Sequence, residues 1–218
     1  MNTPHQDGTP SLGERLLQQQ LGTTERADDF YARQVHRGLT PSMREFISRQ
    51  PMVFLSTADA RGNCDTSFRA GPPGFVQVLD EHTLTYPEYR GNGVLASAGN
   101  ITENPHIGLL FMDFSEHHIG LHVNGAAHLR AATEQQAHDR IPTPTGAGRT
   151  PQMWIHITVH EAYIHCSKHI PHLQAAPRER DAARNRPKDA VYFTAPQPDQ
   201  APASEAPYPG THRAPSRW

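Results

Sequence analysis

Two neighbouring stretches indicate the fold of this chain most clearly: NCDTSFRAGPPGF at residues 63–75 and LTYPEYRGNG at residues 84–93. Each is typical of a β-strand that runs into a connection rich in glycine, proline and arginine. A third stretch, ASAGNITENPHIGLLF at residues 96–111, predicts a short helix, an Asn-Pro stop and an apolar strand. Cationic, hydroxyl and amide groups therefore stand where strands end, an arrangement that suits a phosphorylated, planar ligand.

Alternation of apolar and polar residues extends this pattern into a mainly β domain. Short connections between consecutive strands predict antiparallel pairing, and closure into a barrel would remove exposed sheet edges. The predicted strands are Met52–Ala58, Cys64–Arg69, Phe75–Leu79, Thr83–Tyr86, His106–Phe114, Ile119–Arg130 and Gln152–Cys166.

Helical spacing of apolar residues predicts two outer helices before this β domain, at about residues 11–21 and 25–37. Thr40 and Pro41 are typical of a helix start, and Pro51 ends that helix. The last 44 residues hold eight prolines and few aliphatic side chains, a composition that cannot fold alone. We therefore expect three parts: a helical extension at residues 1–39, a barrel domain at residues 40–174 and a disordered tail at residues 175–218.

Composition limits the possible classes of partner and location. The formal net charge of −2 gives no reason to expect binding to nucleic acid or to an anionic membrane. No apolar run approaches the ~20 residues of a membrane-spanning helix, and we see no signal peptide. Cys64 and Cys166 lie far apart, so we expect no disulfide framework and a cytoplasmic location. The 15 histidines form no known metal-binding motif, and we expect no metal site.

Three segments carry candidate binding groups. Arg69, at a strand end, can hold a phosphate through two parallel hydrogen bonds. Arg90 adds a second cation next to a glycine-rich turn whose backbone amides can form an anion nest. Ser97 and Asn100 share one face of the predicted short helix. Each segment alone is equally typical of an ordinary loop or packing face, and the combination is what indicates a site.

As a set, residues 67–75, 86–92, 100–111 and 122–125 resemble the flavin-binding core of the pyridoxamine 5′-phosphate oxidase-like family, the FMN-binding split barrels. The resemblance spans about residues 40–170. It implies a six-stranded antiparallel split β-barrel with peripheral α-helices and FMN as the cofactor. It also implies a homodimer whose interface completes each flavin site.

The same resemblance implies the site residues. In the family, FMN is held by an arginine on a core strand, by the end of the next strand and by a polar residue on the short helix. A His-Cys-x-Lys segment, here His165–Lys168, reaches the flavin near the subunit interface. The cofactor-binding residues would then be Ser67, Arg69, Thr85, Tyr86, Arg90, Asn92, Ser97, Asn100 and Lys168. The candidate acids and bases are Tyr86, His122, Lys168 and His169.

The expected function is that of an FMN-dependent oxidoreductase acting on a small-molecule substrate. Ala96 and Ser97 stand where pyridoxamine 5′-phosphate oxidases proper carry an Arg-Lys pair, which argues against oxidation of pyridoxamine phosphate itself. Two alternatives stay open at this stage. The same fold can use the deazaflavin F420, or the protein can be a non-catalytic flavin- or haem-binding protein.

Overall fold

The computed structural model describes residues 10–133 and 150–174 of the 218-residue chain, all of them within the unit Met1–Gln174. The predicted tail at residues 175–218 lies outside the described residues. Two helices precede the predicted boundary at residue 39. A third helix follows the boundary and leads into the β-sheet.

Four helices are formed where the sequence has helix-start signals or apolar spacing: α1 (Leu12–Leu21), α2 (Thr24–Gln34), α3 (Pro41–Arg49) and α4 (Ala96–Glu103). Ser11 and Glu14 form a capping box at the start of α1, and Gly22 ends that helix with a left-handed φ of 64°. Thr40 caps α3 as expected, its hydroxyl accepting a hydrogen bond from the Met43 amide. Helix α2 ends three residues earlier than predicted because His36 pairs with Ala162 through two backbone hydrogen bonds.

The described residues form seven strands: β1 (Met52–Ala58), β2 (Cys64–Ala70), β3 (Gln77–Val78), β4 (Thr83–Tyr89), β5 (His106–Asp113), β6 (Ile119–Ala131) and β7 (Pro151–His165). They make one antiparallel sheet in the order β2-β1-β5-β6-β7-β4-β3. The antiparallel, mainly β fold with peripheral helices is as predicted. The alternating pattern predicts seven strands, as observed, whereas the family resemblance implies six; in this part of the chain no strand ladder joins β2 to β3 to close the sheet.

Strand β3 is shorter than the predicted strand at residues 75–79, because the first two residues of that predicted strand are buried in the core. Phe75 and Val76 are both buried, and the Phe75 amide donates to the Pro72 carbonyl in a turn. Two residues are therefore left to pair with β4. The resulting sheet surrounds one apolar core whose largest fully buried side chains include Tyr86 and Phe111.

A β-bulge interrupts the pairing of β6 with β7. Asn124 pairs with Glu161, but the next residue, Gly125, pairs with Val159, so β7 has one extra residue at this point. Gly125 lets the two backbones approach closely, because a β-carbon there would overlap the Thr158 carbonyl oxygen. The bulge therefore requires glycine at this position.

Among the described residues, no helix is long and apolar enough to span a lipid bilayer.

We predict that Gly125→Ala destabilises the protein by about 1–3 kcal/mol, because the added methyl group must push the β7 backbone away. Gly99 is the matched control, since a β-carbon there has no neighbour within 4 Å. Gly99→Ala lies inside α4 and should be neutral or stabilising by about 0.5–1 kcal/mol. Urea denaturation of both variants measures the difference, and equal stability of the two would contradict this account of the bulge.

Candidate functional site

The inner face of β2 carries three polar residues at alternate positions, Asp65, Ser67 and Arg69. Ser97 of α4 meets two of them: its hydroxyl donates to an Asp65 carboxylate oxygen at 2.8 Å and lies 3.1 Å from the Ser67 hydroxyl. Ser67 also lies 3.4 Å from the same Asp65 oxygen. Two of the predicted cofactor-binding residues are therefore brought together, with a carboxylate as their shared acceptor.

Helix α4 places Ser97 at this point through two local features. Leu95, the residue before the helix, has a left-handed backbone with φ of 54° and provides no side-chain cap. The first turn of α4 thus keeps its backbone N–H groups available, and these favour a negatively charged neighbour. At the helix centre the Asn100 amide donates to the Thr57 hydroxyl of β1 at 3.0 Å. Asn100 therefore anchors α4 to the sheet.

Arg69 reaches from β2 across to β4 and forms an ion pair with Glu88. Arg69 Nε and Nη2 lie 3.0 and 2.9 Å from one Glu88 carboxylate oxygen, and Nη1 donates to the Phe68 carbonyl. The two side chains are only 22% and 10% exposed. Arg69, the predicted phosphate anchor, is therefore already paired with an acid. We call Ser67, Arg69 and Ser97 the donor cluster, and Asp65 and Glu88 its two carboxylates.

Tyr86 and Thr85 lie inside the fold. Tyr86 is fully buried in the hydrophobic core, and its hydroxyl has no hydrogen-bond partner among the described residues. Burial, reinforced by the Glu88 charge and partly offset by Arg69, raises the pKa of this phenol well above its usual range. The Thr85 hydroxyl donates to the Ile155 carbonyl. Both side chains thus point into the protein and not towards a surface ligand.

The loop after β4 carries the predicted cation and anion nest. Arg90 and Asn92 are exposed, and the Asn92 side chain accepts a hydrogen bond from the Val94 amide. Gly93 has a positive φ of 84°, whereas Gly91 does not, so one of the two glycines adopts the conformation that such a turn needs. Arg90 forms no ion pair with any residue that the structure describes.

His122, Lys168 and His169 lie apart from the donor cluster. His122 stacks on Tyr163 with ring centroids 4.7 Å apart, and its Nε2 lies 2.8 Å from His165 Nδ1. Burial, with the neighbouring His165 charge, lowers the pKa of His122. Lys168 and His169 are exposed beyond the end of β7. Within residues 10–133 and 150–174, no hydrogen bond or ion pair connects these three residues to the donor cluster.

The two carboxylates of the site are absent from the predicted residue set. Asp65 stands two residues before Ser67, and Glu88 stands two residues after Tyr86. The two-residue period of a strand places both on the faces already singled out, so this signal was present in the sequence. Which donors they would meet depended on the approach of β4 and α4 to β2.

One further group of possible metal ligands lies at the β5–β6 turn. Atoms of Asp113, Glu116 and His117 lie within 4.8 Å of one another. Asp113 accepts hydrogen bonds from the backbone of Glu116, Ser115 and His117, which overcome burial and lower its pKa well below the usual range. These bonds shape the turn.

Comparison with known proteins gives a family match and several structural matches. The model of the family described as pyridoxamine 5′-phosphate oxidase matches residues 39–166. No curated protein matches the chain significantly. Group A Streptococcus HupZ, in a 1.70 Å crystal structure, is 21% identical, with 58% of this chain and 93% of that chain covered and a TM-score of 0.43.

Two other solved structures are similar to the chain. The first is a putative pyridoxamine 5′-phosphate oxidase from Lactobacillus delbrueckii, 21% identical, with 59% of this chain and 95% of that chain covered and a TM-score of 0.44. The second is HutZ, the haem storage protein from Vibrio cholerae, 16% identical, with 58% and 94% covered and a TM-score of 0.37.

We predict that Arg69→Gln lowers the free energy of unfolding by about 3 kcal/mol, because it leaves the Glu88 carboxylate buried without its cation. Arg61→Gln makes the same chemical change at an exposed arginine that pairs with Asp59. It should cost less than about 1 kcal/mol. Chemical denaturation compares the two. A cost for Arg69→Gln no larger than that of Arg61→Gln would show that the β2–β4 ion pair contributes little.

Proposed function

Since the chain belongs to the pyridoxamine 5′-phosphate oxidase family, we propose that it is an FMN-binding oxidoreductase acting on a small molecule. The observation that carries the proposal is the donor cluster at the first turn of α4. Two hydroxyls meet there beside backbone N–H groups at the helix start, and Arg69 lies two residues from Ser67 on the same face of β2. These are the groups that bind a phosphate monoester.

The hydrogen-bond donors of the cluster suit the FMN phosphate. Binding requires that the phosphate replace the two carboxylates that now accept from these donors. In the described arrangement, Asp65 accepts from Ser67 and Ser97, and Glu88 accepts from Arg69. A phosphate is an acceptor of the same kind, so it would replace these carboxylates as the partner of the same donors. Exposed Arg90, on the loop that follows β4, can add a second positive charge to compensate for Asp65 and Glu88.

The roles of the remaining residues follow from their places. Asn100 fixes α4 against β1 and so positions Ser97. The bound flavin would supply the redox chemistry. Among the predicted acids and bases, His122 has the most suitable environment, because its lowered pKa keeps the half-buried imidazole neutral near pH 7 and able to accept a proton.

We also propose a homodimer. Phe68 on the outer face of β2 is 51% exposed, and its ring lies 5.4 Å from that of Phe54 on β1. An exposed aromatic ring on an edge strand favours burial against another chain. A second subunit would also bring its exposed Lys168 to the flavin, as the family resemblance implies. The separated, exposed thiols Cys64 and Cys166 agree with the proposed cytoplasmic location.

We predict that wild-type protein binds FMN about 10- to 150-fold more tightly than riboflavin, because riboflavin lacks the phosphate that the donor cluster would hold. Flavin fluorescence quenching measures both affinities. Glu88→Gln should strengthen FMN binding and leave riboflavin binding unchanged, since Arg69 would no longer be neutralised by a carboxylate. Thermal unfolding checks that the variant is folded.

The visible spectrum of the purified protein provides an independent control. Flavin absorption bands are expected. A Soret band would indicate haem binding instead, and equal affinity for FMN and riboflavin would contradict the phosphate site.

We predict that Phe68→Glu converts the dimer to a monomer, because a carboxylate cannot be buried in an apolar interface without a partner. Light scattering after size exclusion measures the mass. The matched control is Leu16→Glu on α1, which alters an equally exposed apolar residue at another surface. A dimer that survives Phe68→Glu, or a wild-type monomer, would contradict the proposed interface.

A further inference from the structure

A large cavity lies between the α1–α2 helix pair and the outer face of the sheet. Its volume is about 1060 Å³. Strand residues Ser56, Gly108, Asn124 and Glu161 line it on one side, and helix residues Glu14, Phe30 and Tyr31 line it on the other. This volume is at the upper end of the range for pockets that hold small organic ligands. We call it the hairpin cavity.

The β6–β7 bulge directs two consecutive residues into the hairpin cavity. In a regular strand His160 and Glu161 would point to opposite faces of the sheet. The extra residue at the bulge changes this, because Val159 and Ala162 both face the core while His160 and Glu161 both line the cavity. Bulges that redirect side chains in this way are concentrated next to functional sites.

The Glu161 carboxylate is held in a fixed position. Asn124 donates its side-chain amide to Glu161 Oε1 at 2.8 Å. Gly108 lies beside them, and a β-carbon there would come within 3.2 Å of Asn124 Oδ1. The sheet thus leaves room for an oriented Asn124–Glu161 pair on the cavity wall, and such pre-organisation lowers the entropic cost of binding.

Aromatic rings from both the helices and the sheet line the hairpin cavity. Phe30 makes an edge contact with Tyr163 at 6.0 Å and with Tyr31 at 6.4 Å. Rings arranged at such angles present both faces and edges, which are complementary to a planar ligand and to a cation. The hairpin cavity therefore combines apolar aromatic surface with a few placed polar groups.

The electrostatic character of the hairpin cavity is negative. Burial raises the pKa of the Tyr163 phenol, the Asn124 side chain lowers it, and the charges of Glu161 and Glu14 raise it further. Both carboxylates thus act on the same aromatic group from different walls. Among the cavity-lining residues that the structure describes, Arg26 is the one arginine or lysine, and it is exposed.

We propose that the hairpin cavity is a binding site for a small aromatic molecule that carries a protonated amine. Glu161 accepts a charge-assisted hydrogen bond from the ammonium group, and Phe30 and Tyr163 pack against the ring. This site is separate from the proposed flavin site, because neither the donor cluster nor its two carboxylates line the hairpin cavity. The proposal does not depend on flavin binding.

Three phenols of similar size whose side chains end in different groups test the proposal: tyramine, tyrosol and 4-hydroxyphenylacetate. They carry a cation, a neutral hydroxyl and an anion. Titration of the full-length protein, followed by amide NMR, should show tyramine binding about tenfold or more tightly than tyrosol, with the acetate weakest. The amide signals of Gly108 and Gly125 in the cavity wall should shift, and that of Gly74 in a distant loop should not.

Two variants and a control complete the experiment. Glu161→Gln keeps the shape and the Asn124 contact, and it should reduce tyramine affinity to about that of tyrosol. Ala27→Leu fills part of the hairpin cavity and should weaken all three probes together. Glu45→Gln removes an exposed carboxylate on α3 and should change nothing; thermal unfolding confirms that each variant is folded.

The proposal is overturned if tyramine and tyrosol bind equally, if Glu161→Gln binds tyramine as wild type does, or if no probe binds. Loss of the wild-type oligomer mass in Ala27→Leu, with no probe binding to wild type, would instead show that the hairpin cavity is covered by a second copy of the chain.

Discussion

The ion pair between Arg69 and Glu88 is the interaction on which the candidate site depends. Arg69 lies on β2, one edge of the sheet, and Glu88 lies on β4, next to the opposite edge, so the pair connects two ends that no strand ladder joins in the described residues. Because both side chains are largely shielded from water, each charge needs the other. The same contact that connects the sheet ends also neutralises the strongest candidate phosphate donor.

A ligand phosphate would therefore compete with the two carboxylates for the donor cluster. Asp65 and Glu88 hold Ser67, Ser97 and Arg69 in place, which pre-organises the donors, but a ligand phosphate must displace these carboxylates before it gains their hydrogen bonds. Pre-organisation lowers the entropic cost of binding, whereas displacement adds an electrostatic cost. The balance between the two decides the affinity for an anion, and the exposed Arg90 can shift that balance in favour of the ligand.

The proposed flavin site and the hairpin cavity both involve β1, but the charged groups of the two sites are different residues. Ser56 and Thr57 of β1 both line the hairpin cavity, and the Thr57 hydroxyl also accepts a hydrogen bond from Asn100 of α4. The bulge at Gly125 then breaks the alternation once, on β7, and adds His160 and Glu161 to the outer face. Two chemically different surfaces, one rich in donors and one acidic and aromatic, thus share a single sheet.

Local patterns in the sequence determined the helix starts at Ser11 and Thr40, the antiparallel strands and the position of Ser67 and Arg69 on one strand face, because caps and a two-residue period act over neighbouring residues. The pattern predicted a strand at residues 75–79, but Phe75 and Val76 are buried in the core and leave two residues to pair with β4. Only the tertiary structure decided that Arg69 meets Glu88, that Ser97 meets Asp65 and that Tyr86 points into the core. Those contacts join residues on different elements, and they form only when β4 and α4 pack against β2, so no local pattern encodes them.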